Sequence, residues 1–207
     1  MTSKQIVLDI EANGFEPDKI WCIVSLDINT KESISYVNNL DQLKKDLTSV
    51  SEIIGHNILG YDIPVLERLL GIDFSGIKLT DTLVLSRLTD PARQGGHSLG
   101  SWGERLGYPK GDYTDFSYYT NEMLDYCIKD TEVNLFTYRQ LIIEANGFSQ
   151  QSIDLEMDVH KIICQQTRSG WLLDEQKAFM LLAELKESML NAEAKVHERF
   201  VPLPVWV

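Results

Sequence analysis

An apolar run that ends in two acidic residues constrains the fold of this chain more than any other feature. Residues 6–8 are Ile, Val and Leu, Asp9 follows them directly, and Glu11 comes two positions later. A short apolar run of this kind is typical of a buried β-strand. Side chains two positions apart on a strand point to the same face of the sheet. The sequence therefore predicts a strand over residues 5–11 that presents two carboxylates on one face.

Two further acidic residues lie in segments that can bring them to the same place. Asp62 follows a second change from apolar to polar residues, at 53–57. Asp130 comes four residues after Tyr126 in a helical pattern, so these two side chains share one face of the helix. Each motif is weak alone, because D-x-E occurs three times and Y-x-x-x-D twice in the chain. A solvated acidic residue explains most isolated matches, so only the three motifs together, in this order, indicate one site.

Four carboxylates that converge on one point need cations. They repel each other and resist ionising together. Oxygen ligands without Cys or His at ligand spacing favour magnesium or manganese over zinc. The sequence therefore predicts a site for divalent cations, Mg²⁺ or Mn²⁺, with Asp9, Glu11, Asp62 and Asp130 as ligands. A simple calcium-binding protein is disfavoured because the chain has no D-x-D-x-D-G loop.

Composition indicates an ordinary globular protein. The chain has 207 residues, 43% hydrophobic and 24% charged, which suits one domain, alone or with an appendage. Its three cysteines are far apart in the sequence, which favours buried thiols in a reducing compartment over a disulfide framework. No apolar run reaches the roughly 20 residues needed to span a bilayer, and the first ten residues do not resemble a signal peptide. We therefore expect a cytoplasmic protein without membrane contact.

The pattern of apolar and turn residues predicts a mixture of strands and helices. Predicted strands cover 5–11, 20–28, 33–38 and 52–56. Predicted helices cover 40–49, 62–70, 81–88, 98–106, 119–145, 151–168 and 174–200. Asn39 and Ser98 are possible N-caps of the first and fourth of these helices. The order of elements predicts an α/β fold, with a mixed sheet flanked by helices and a C-terminal helical appendage.

Three motifs together resemble the DEDD superfamily of 3′→5′ exonucleases: LDIEANG, GHNILGYDIPVL and DYCIKD. The tyrosine branch of that superfamily has Tyr four residues before the last Asp, as Tyr126 stands before Asp130. The stretches DTLVLSRL (81–88), HSLGSWGERLG (97–107) and KGDYTDF (110–116) are similar to the exonuclease domain of phage replicative DNA polymerases of family A. The resemblance implies a ribonuclease-H-like fold.

The same resemblance implies a division of the chain. Residues 1–149 would form the 3′→5′ exonuclease domain, and 150–207 would form a helical segment that joins a polymerase domain. The motifs of the polymerase domain itself are missing from the sequence, so we expect no polymerase activity. The chain is interpreted as a separated exonuclease domain or as a free-standing homologue.

The activity implied is removal of 5′-mononucleotides from single-stranded or mismatched DNA 3′ ends, as in proofreading. One cation would generate the nucleophile and a second would stabilise the leaving 3′-oxygen. By resemblance, Asp9 bridges both ions, Glu11 and Asp130 complete the shell of the first, and Asp62 acts at the second. Tyr126 would orient the attacking water, because a phenol with a pKa near 10 is a poor base at neutral pH.

Two residues are candidates for contact with the substrate. Phe15 matches the position of an apolar wedge against the terminal base, but a buried core phenylalanine is an equal alternative. Asn57 is expected to contact the terminal nucleotide, with a strand-end cap as the competing interpretation. His56 is interpreted as a partly buried structural histidine. Basic residues around the loop 90–97 are interpreted as an ordinary surface loop and not as phosphate ligands.

The net charge of −12 is unfavourable for holding nucleic acid. We therefore expect weak, salt-sensitive binding of a single-stranded DNA 3′ end, with a polymerase domain of the parent chain as the other partner. Two alternatives stay open. One is an RNA-trimming exonuclease of the same superfamily, since the metal site does not distinguish the two polymers. The other is an inactive module that keeps only a structural role.

Overall fold

The architecture is a mixed sheet flanked by helices. The computed structural model describes residues 4–200, except for the side chain of residue 40. The strands are β1 (Lys4–Ala12), β2 (Ile20–Asp27), β3 (Ser33–Tyr36), β4 (Val50–Gly55) and β5 (Lys78–Asp81). The helices are α1 (Leu40–Leu47), α2 (Asp62–Leu70), α3 (Thr82–Thr89), α4 (Leu99–Arg105), α5 (Asn121–Glu144), α6 (Gln150–Ser169) and α7 (Glu175–Arg199).

Strand order places β1 at the centre of the sheet. The order is β3-β2-β1-β4-β5, with β1 antiparallel to β2 and parallel to β4. Strand β5 is parallel to β4, so β1, β4 and β5 all end at the same edge. The carboxyl ends of parallel strands are the usual place for ligand sites in such sheets. The predicted fold class is confirmed.

The short strand β5 is the clearest error of the sequence-based prediction. That prediction began a helix at Asp81 and had no strand before it. In the structure Lys78–Asp81 pairs with β4, with Leu79 opposite Ile53. Asp81 ends this strand and caps α3 by accepting a hydrogen bond from the backbone N–H of Leu83 at 2.9 Å. Four residues of mixed polarity carry little strand signal, so pairing with β4 decides their conformation.

The two predicted helix caps have different outcomes. Ser98 caps α4, and its hydroxyl accepts from the backbone N–H of Ser101 at 3.1 Å. Asn39 precedes α1 but makes no side-chain capping hydrogen bond, so that prediction was wrong. Its backbone, at φ −123° and ψ 58°, is outside the extended conformation that a capping residue normally adopts.

Apolar residues on both faces of β1 hold it between two layers of helices. Leu8 packs into the largest core cluster, whereas Val7 points to the opposite face and packs with Leu135 of α5. Residues 9 and 11 lie on the same face as Val7, because side chains alternate along a strand. Helix α5 therefore covers the face of β1 that carries the two carboxylates.

Two compact units divide the chain within α6, at Gln165 and Gln166. The first unit contains the sheet, and Met157 of α6 belongs to its core. In the second unit, α7 has no buried residue. The predicted domain boundary at 149/150 stays a prediction. The last residues of the predicted helical segment, 201–207, lie outside the described residues. Among residues 4–200, no helix combines the length and apolar content needed to cross a membrane.

Candidate active site

The carboxyl end of β1 supplies the first two acidic side chains. Glu11 is buried, and Asp9 is partly buried. On the adjacent strand β2, Cys22 lies opposite Glu11 and Val24 lies opposite Asp9. Because pairing with β2 continues through Asp9 and Glu11, the backbone fixes the spacing of these two carboxylates.

Asp62 is tied to the same stretch of β1. It is the first residue of α2, is 5% exposed, and its Oδ1 accepts a hydrogen bond from the backbone N–H of Ile10 at 3.2 Å. Ile10 lies between Asp9 and Glu11. The second motif therefore reaches the first through a direct hydrogen bond.

Helix α5 brings the third motif to the same place. Asp130 is 3% exposed, and Tyr126 lies one turn earlier on the helix. Lys110, in the loop before α5, places its Nζ 2.5 Å from Asp130 Oδ2 and 4.6 Å from the centre of the Tyr126 ring. Asp130 Oδ1 is buried and has no hydrogen-bond partner among the described residues. One oxygen of this carboxylate is thus neutralised by an amine, and the other is unsatisfied.

A cavity of about 350 Å³ opens beside the carboxylates of β1 and α2. Five of the predicted site residues line it: Asp9, Glu11, Phe15, Asn57 and Asp62. Tyr126 and Asp130 are not among its lining residues; Lys110 links these two to each other. The structure thus places the four predicted ligands in one neighbourhood.

The two predicted substrate contacts are both at the cavity. Phe15 is 96% exposed, which excludes the alternative of a core phenylalanine. Asn57 has a left-handed backbone with φ of 59°, and its N–H donates to Asp81 Oδ1 at 2.9 Å. The backbone of Asn57 is therefore held by Asp81 just after β4, while its side chain lines the cavity.

His56 has the properties of a neutral structural histidine. Its Nδ1 lies 2.9 Å from Thr82 Oγ1, and the Thr82 hydroxyl also donates to Asn134 Oδ1 at 2.7 Å. Burial is the main cause that lowers the pKa of His56 to about 4. The imidazole is therefore uncharged at neutral pH and fixed by α3.

Basic residues around the loop 90–97 are engaged within the protein. Arg93 forms an ion pair with Glu144 at 2.5 Å, and its side chain is 7% exposed. Arg105 donates to the backbone carbonyl of Gln94 at 2.6 Å. Both guanidinium groups lie over the ring of Trp102, at 4.5 and 4.7 Å from its centre. These arginines stabilise the loop and α4, which agrees with the structural interpretation.

Crowding of buried carboxylates disfavours their ionised forms. Burial, followed by the charge of Asp130, raises the pKa of Asp9 to about 7. Burial, followed by the charge of Asp9, raises the pKa of Glu11 to about 9. The pKa of Asp62 is also well above its ordinary value, because of burial and of Asp9. Burial raises the pKa of Asp130 although Lys110 opposes it.

These properties fit a cation site. Asp130 Oδ1 has no hydrogen-bond partner among the described residues, and burial and mutual repulsion raise the pKa values of Asp9 and Glu11. A divalent cation, which prefers hard oxygen ligands, would contact that oxygen and offset the repulsion. The four carboxylates are therefore suited to hold Mg²⁺ or Mn²⁺.

A thiol belongs to the same cluster, which the sequence analysis, with its expectation of oxygen ligands, did not anticipate. Cys127 is fully buried, and its Sγ lies 3.4 Å from Asp9 Oδ2. One ligand atom each of Asp9, Glu11 and Cys127 lies within 4.8 Å of the others. Ligand spacing in the sequence gave no sign of this, because residues 9 and 127 meet only through the packing of α5 on β1.

Lys110 is the other site residue that the sequence analysis missed. It lies in KGDYTDF, a stretch used there only for the family resemblance. Lys110 is the one basic residue of that stretch, and the stretch lies before the helix that carries Asp130. This is a weak signal, because a loop lysine is ordinarily solvated.

Comparison of the sequence with curated proteins finds two phage enzymes. The DNA-directed DNA polymerase of Escherichia phage T7 is 27% identical, over 94% of this chain and 37% of that enzyme. The corresponding polymerase of Enterobacteria phage T3 is 26% identical, over 87% of this chain and 35% of that enzyme. The chain is thus similar in sequence to part of these phage DNA polymerases. It spans about a third of the length of these relatives, and no protein-family model matches it.

Solved structures also resemble this chain in fold. NrnC of Brucella melitensis with bound Mg²⁺ superposes with a TM-score of 0.60 and 17% identity, over 82% of this chain and 88% of NrnC. NrnC bound to pGG gives a TM-score of 0.62 at 17% identity. At this identity the likeness concerns the fold alone. It agrees with the ribonuclease-H-like arrangement predicted from the motifs.

Proposed function

We propose that this chain is a 3′→5′ exonuclease that uses two divalent cations, Mg²⁺ or Mn²⁺. It would remove 5′-mononucleotides from single-stranded or mismatched DNA 3′ ends, as in proofreading during replication. The observation that carries the proposal is the convergence of three distant motifs: Asp9, Glu11 and Asp62 line one open cavity, and the charge of Asp130 acts on Asp9 and Glu11. Homology to phage polymerases supports DNA as the substrate.

The carboxylates would divide the work of holding the cations. Asp9 is central, because the charge of Asp9 acts on both Glu11 and Asp62. Asp9, Glu11, Asp62 and Asp130 would together hold the ions, with Asp9 at the centre of the group. When bound, two such ions supply an activated nucleophile and neutralise the leaving 3′-oxygen.

Tyr126 would act by orientation and not as a base. Burial raises the pKa of its phenol above the ordinary value of 10, so the hydroxyl keeps its proton at neutral pH. The ring is fixed by Lys110 and by Tyr113, whose ring centre is 5.8 Å away. A protonated, fixed hydroxyl beside Asp130 can hold an attacking water by a hydrogen bond.

Phe15 and Asn57 would receive the terminal nucleotide. An aromatic ring that is almost fully exposed beside an acidic cavity has no role in the core, and it offers a face on which a base can stack. The hydroxyl of Tyr61 donates to the backbone carbonyl of Gly14 at 2.5 Å and so supports the segment before Phe15. Stacking supplies affinity that the net charge of −12 does not.

A digestion assay tests this proposal. A 5′-labelled DNA primer with a mismatched 3′ end, and the RNA strand of the same sequence, are incubated with Mg²⁺, with Mn²⁺ and with EDTA. We expect shortening of the DNA from its 3′ end with either cation and none with EDTA. Asp9→Ala should slow the reaction about a thousandfold or more, because it removes the central ligand.

A matched variant controls for the loss of an acidic side chain. Glu67 is exposed on α2, the helix that begins at Asp62, so Glu67→Ala should digest DNA at the wild-type rate. Equal digestion by Asp9→Ala and wild type would refute the site. No shortening under any condition would favour an inactive module.

RNA is the second candidate substrate, because the carboxylate site does not distinguish the two polymers. If the chain shortens the RNA strand faster than the DNA strand, the RNA-trimming alternative is correct and the proofreading role is not.

The second part of the proposal concerns a polymerase domain as partner. Residues 150–207 would form the segment that joins the exonuclease domain 1–149 to it. In α7, large apolar side chains are exposed, among them Phe179 at 68%, Leu182 at 46% and Met189 at 71%. Apolar exposure of this extent on one helix is typical of a surface that another domain covers.

A further inference from the structure

Lys110 reaches into the carboxylate cluster from outside the three motifs. Its Nζ lies 2.5 Å from Asp130 Oδ2, and its side chain is 27% exposed against 4% for Asp130. Burial alone would lower the pKa of Lys110, but the neighbouring Asp130 raises it above its ordinary value. The amine is therefore a permanent positive charge at neutral pH.

The position of Lys110 is built into the fold. Gly103 of α4 packs directly against the loop backbone, where an added Cβ would lie 2.8 Å from the carbonyl oxygen of Tyr108 and 3.0 Å from the N of Lys110. Only glycine permits this close approach of helix and loop. This contact holds the loop beside α4, in a position from which the side chain of Lys110 reaches Asp130 on α5.

Lys110 also contacts the other functional group of the third motif. Its Nζ lies 4.6 Å from the centre of the Tyr126 ring, a cation–π distance. One amine thus holds both Tyr126 and Asp130, one turn apart on α5. Its charge also favours the ionised forms of Asp9 and Glu11, which it does not touch.

We propose that Lys110 is a positioning residue, an internal counter-ion that holds Asp130 and Tyr126 in place and competes with a divalent cation for Asp130. This rests on the proposed function, because it takes Asp130 as a metal ligand. A divalent cation held by the free Oδ1 of Asp130 would lie close to the ammonium group on Oδ2 of the same carboxylate, and the two positive charges would repel each other. Removing the charge of Lys110 should therefore strengthen cation binding.

Titration calorimetry with Mn²⁺, in the absence of DNA, tests this. We expect Lys110→Met to bind Mn²⁺ about tenfold more tightly than wild type, since a positive charge next to the ion is removed. Lys110→Arg keeps the charge and should keep the wild-type affinity. In the Asp130→Asn background, Lys110→Met should change the affinity much less, because the shared carboxylate is gone.

Lys129 provides the matched control. It lies on α5 next to Asp130, but its Nζ lies over the ring of Tyr108, 3.0 Å from the ring centre. Lys129→Met also removes one positive charge, here from the helix that carries Asp130, and should leave Mn²⁺ affinity within about twofold of wild type. Circular dichroism melting of each variant shows whether the fold is kept.

The outcomes separate this proposal from the proposed function. Equal or weaker Mn²⁺ binding by a folded Lys110→Met, with metal-dependent digestion intact in wild type, overturns the role of Lys110 alone. An equal gain in Lys129→Met or in the Asp130→Asn background also overturns it, because the effect is then not local to the pair. Failure of wild type to bind Mn²⁺ overturns both proposals.

Discussion

Two groups of buried acids lie at the same edge of the sheet, and they are satisfied in opposite ways. Asp81, at the end of β5, is fully buried and accepts hydrogen bonds from three backbone N–H groups. These donors belong to Asn57, Leu59 and Leu83, at 2.9, 3.1 and 2.9 Å. Asp81 thereby connects the end of β4 to the start of α3.

Among the described residues, the carboxylates of the cluster around β1 have fewer donors than Asp81. Asp62 accepts from the backbone N–H of Ile10, Asp9 is contacted by the Cys127 thiol, and one oxygen of Asp130 has no partner among the described residues. Burial raises the pKa in both groups, but backbone donors then lower the pKa of Asp81, whereas neighbouring carboxylates raise that of Asp9 further. A buried acid with its donors complete stabilises the fold, and one without them is available for a ligand.

The largest expected effect is at Asp9, where activity should be lost without a loss of stability. Asp9→Ala should lose about a thousandfold or more of exonuclease activity, because the central ligand is missing. In EDTA its melting temperature should equal or exceed that of wild type, because a repelling buried carboxylate has been removed. Calorimetric melting beside the digestion assay measures both. A marked loss of stability would mean that Asp9 resembles Asp81 and would remove the contrast.

Asp81→Ala should show the opposite result. Its loss leaves three buried backbone donors without an acceptor and removes the cap of α3, which costs about 3 kcal/mol of unfolding free energy. Chemical denaturation measures this. Asp73→Ala is the matched control, since Asp73 is an exposed acid that bonds only to Ser75, and its melting temperature should be unchanged. An Asp81→Ala protein as stable as wild type would contradict the structural role.

Tyr126→Phe should have a smaller effect. It removes the hydroxyl that orients water but leaves the carboxylates and the contact of Lys110 with the ring, so cleavage should slow by about 10- to 100-fold and not stop. Mn²⁺ affinity should match wild type. Single-turnover digestion with saturating Mg²⁺ checks the rate. Complete loss of cleavage would give Tyr126 a role in proton transfer that its raised pKa disfavours.

The smallest effect concerns pH. The pKa of Glu11 is raised from 4.5 to about 9, so folding without cations retains a proton that the unfolded chain has lost. The resulting stability is complete below about pH 4.5 and disappears as the pH rises to about 9. Glu11→Gln has no such dependence, so its melting temperature in EDTA should rise relative to wild type by a few degrees between pH 5 and 9. A constant difference across this range would show that Glu11 is not protonated in the folded protein.

Local patterns in the sequence determined the parts of the site that lie within one element. The apolar run before Asp9 fixed a central strand, and its alternation placed Asp9 and Glu11 on one face. Four-residue spacing placed Tyr126 and Asp130 together on α5, and Ser98 capped α4 as its residue type predicts. These features follow from strand and helix periodicity, which the chain carries in every short window.

Only the tertiary structure decided which residues from different elements meet. It made a strand of Lys78–Asp81 by pairing it with β4, and it made Asp81 an acceptor for three backbone N–H groups, two from the turn after β4 and one from α3. It brought the amine of Lys110 into contact with Asp130, and the thiol of Cys127 into contact with Asp9, although the members of each pair are distant in the sequence. It also exposed Phe15 at the cavity. No short window contains these contacts, because they form only when α4 and α5 pack beside the sheet, and the charge state of the site depends on them.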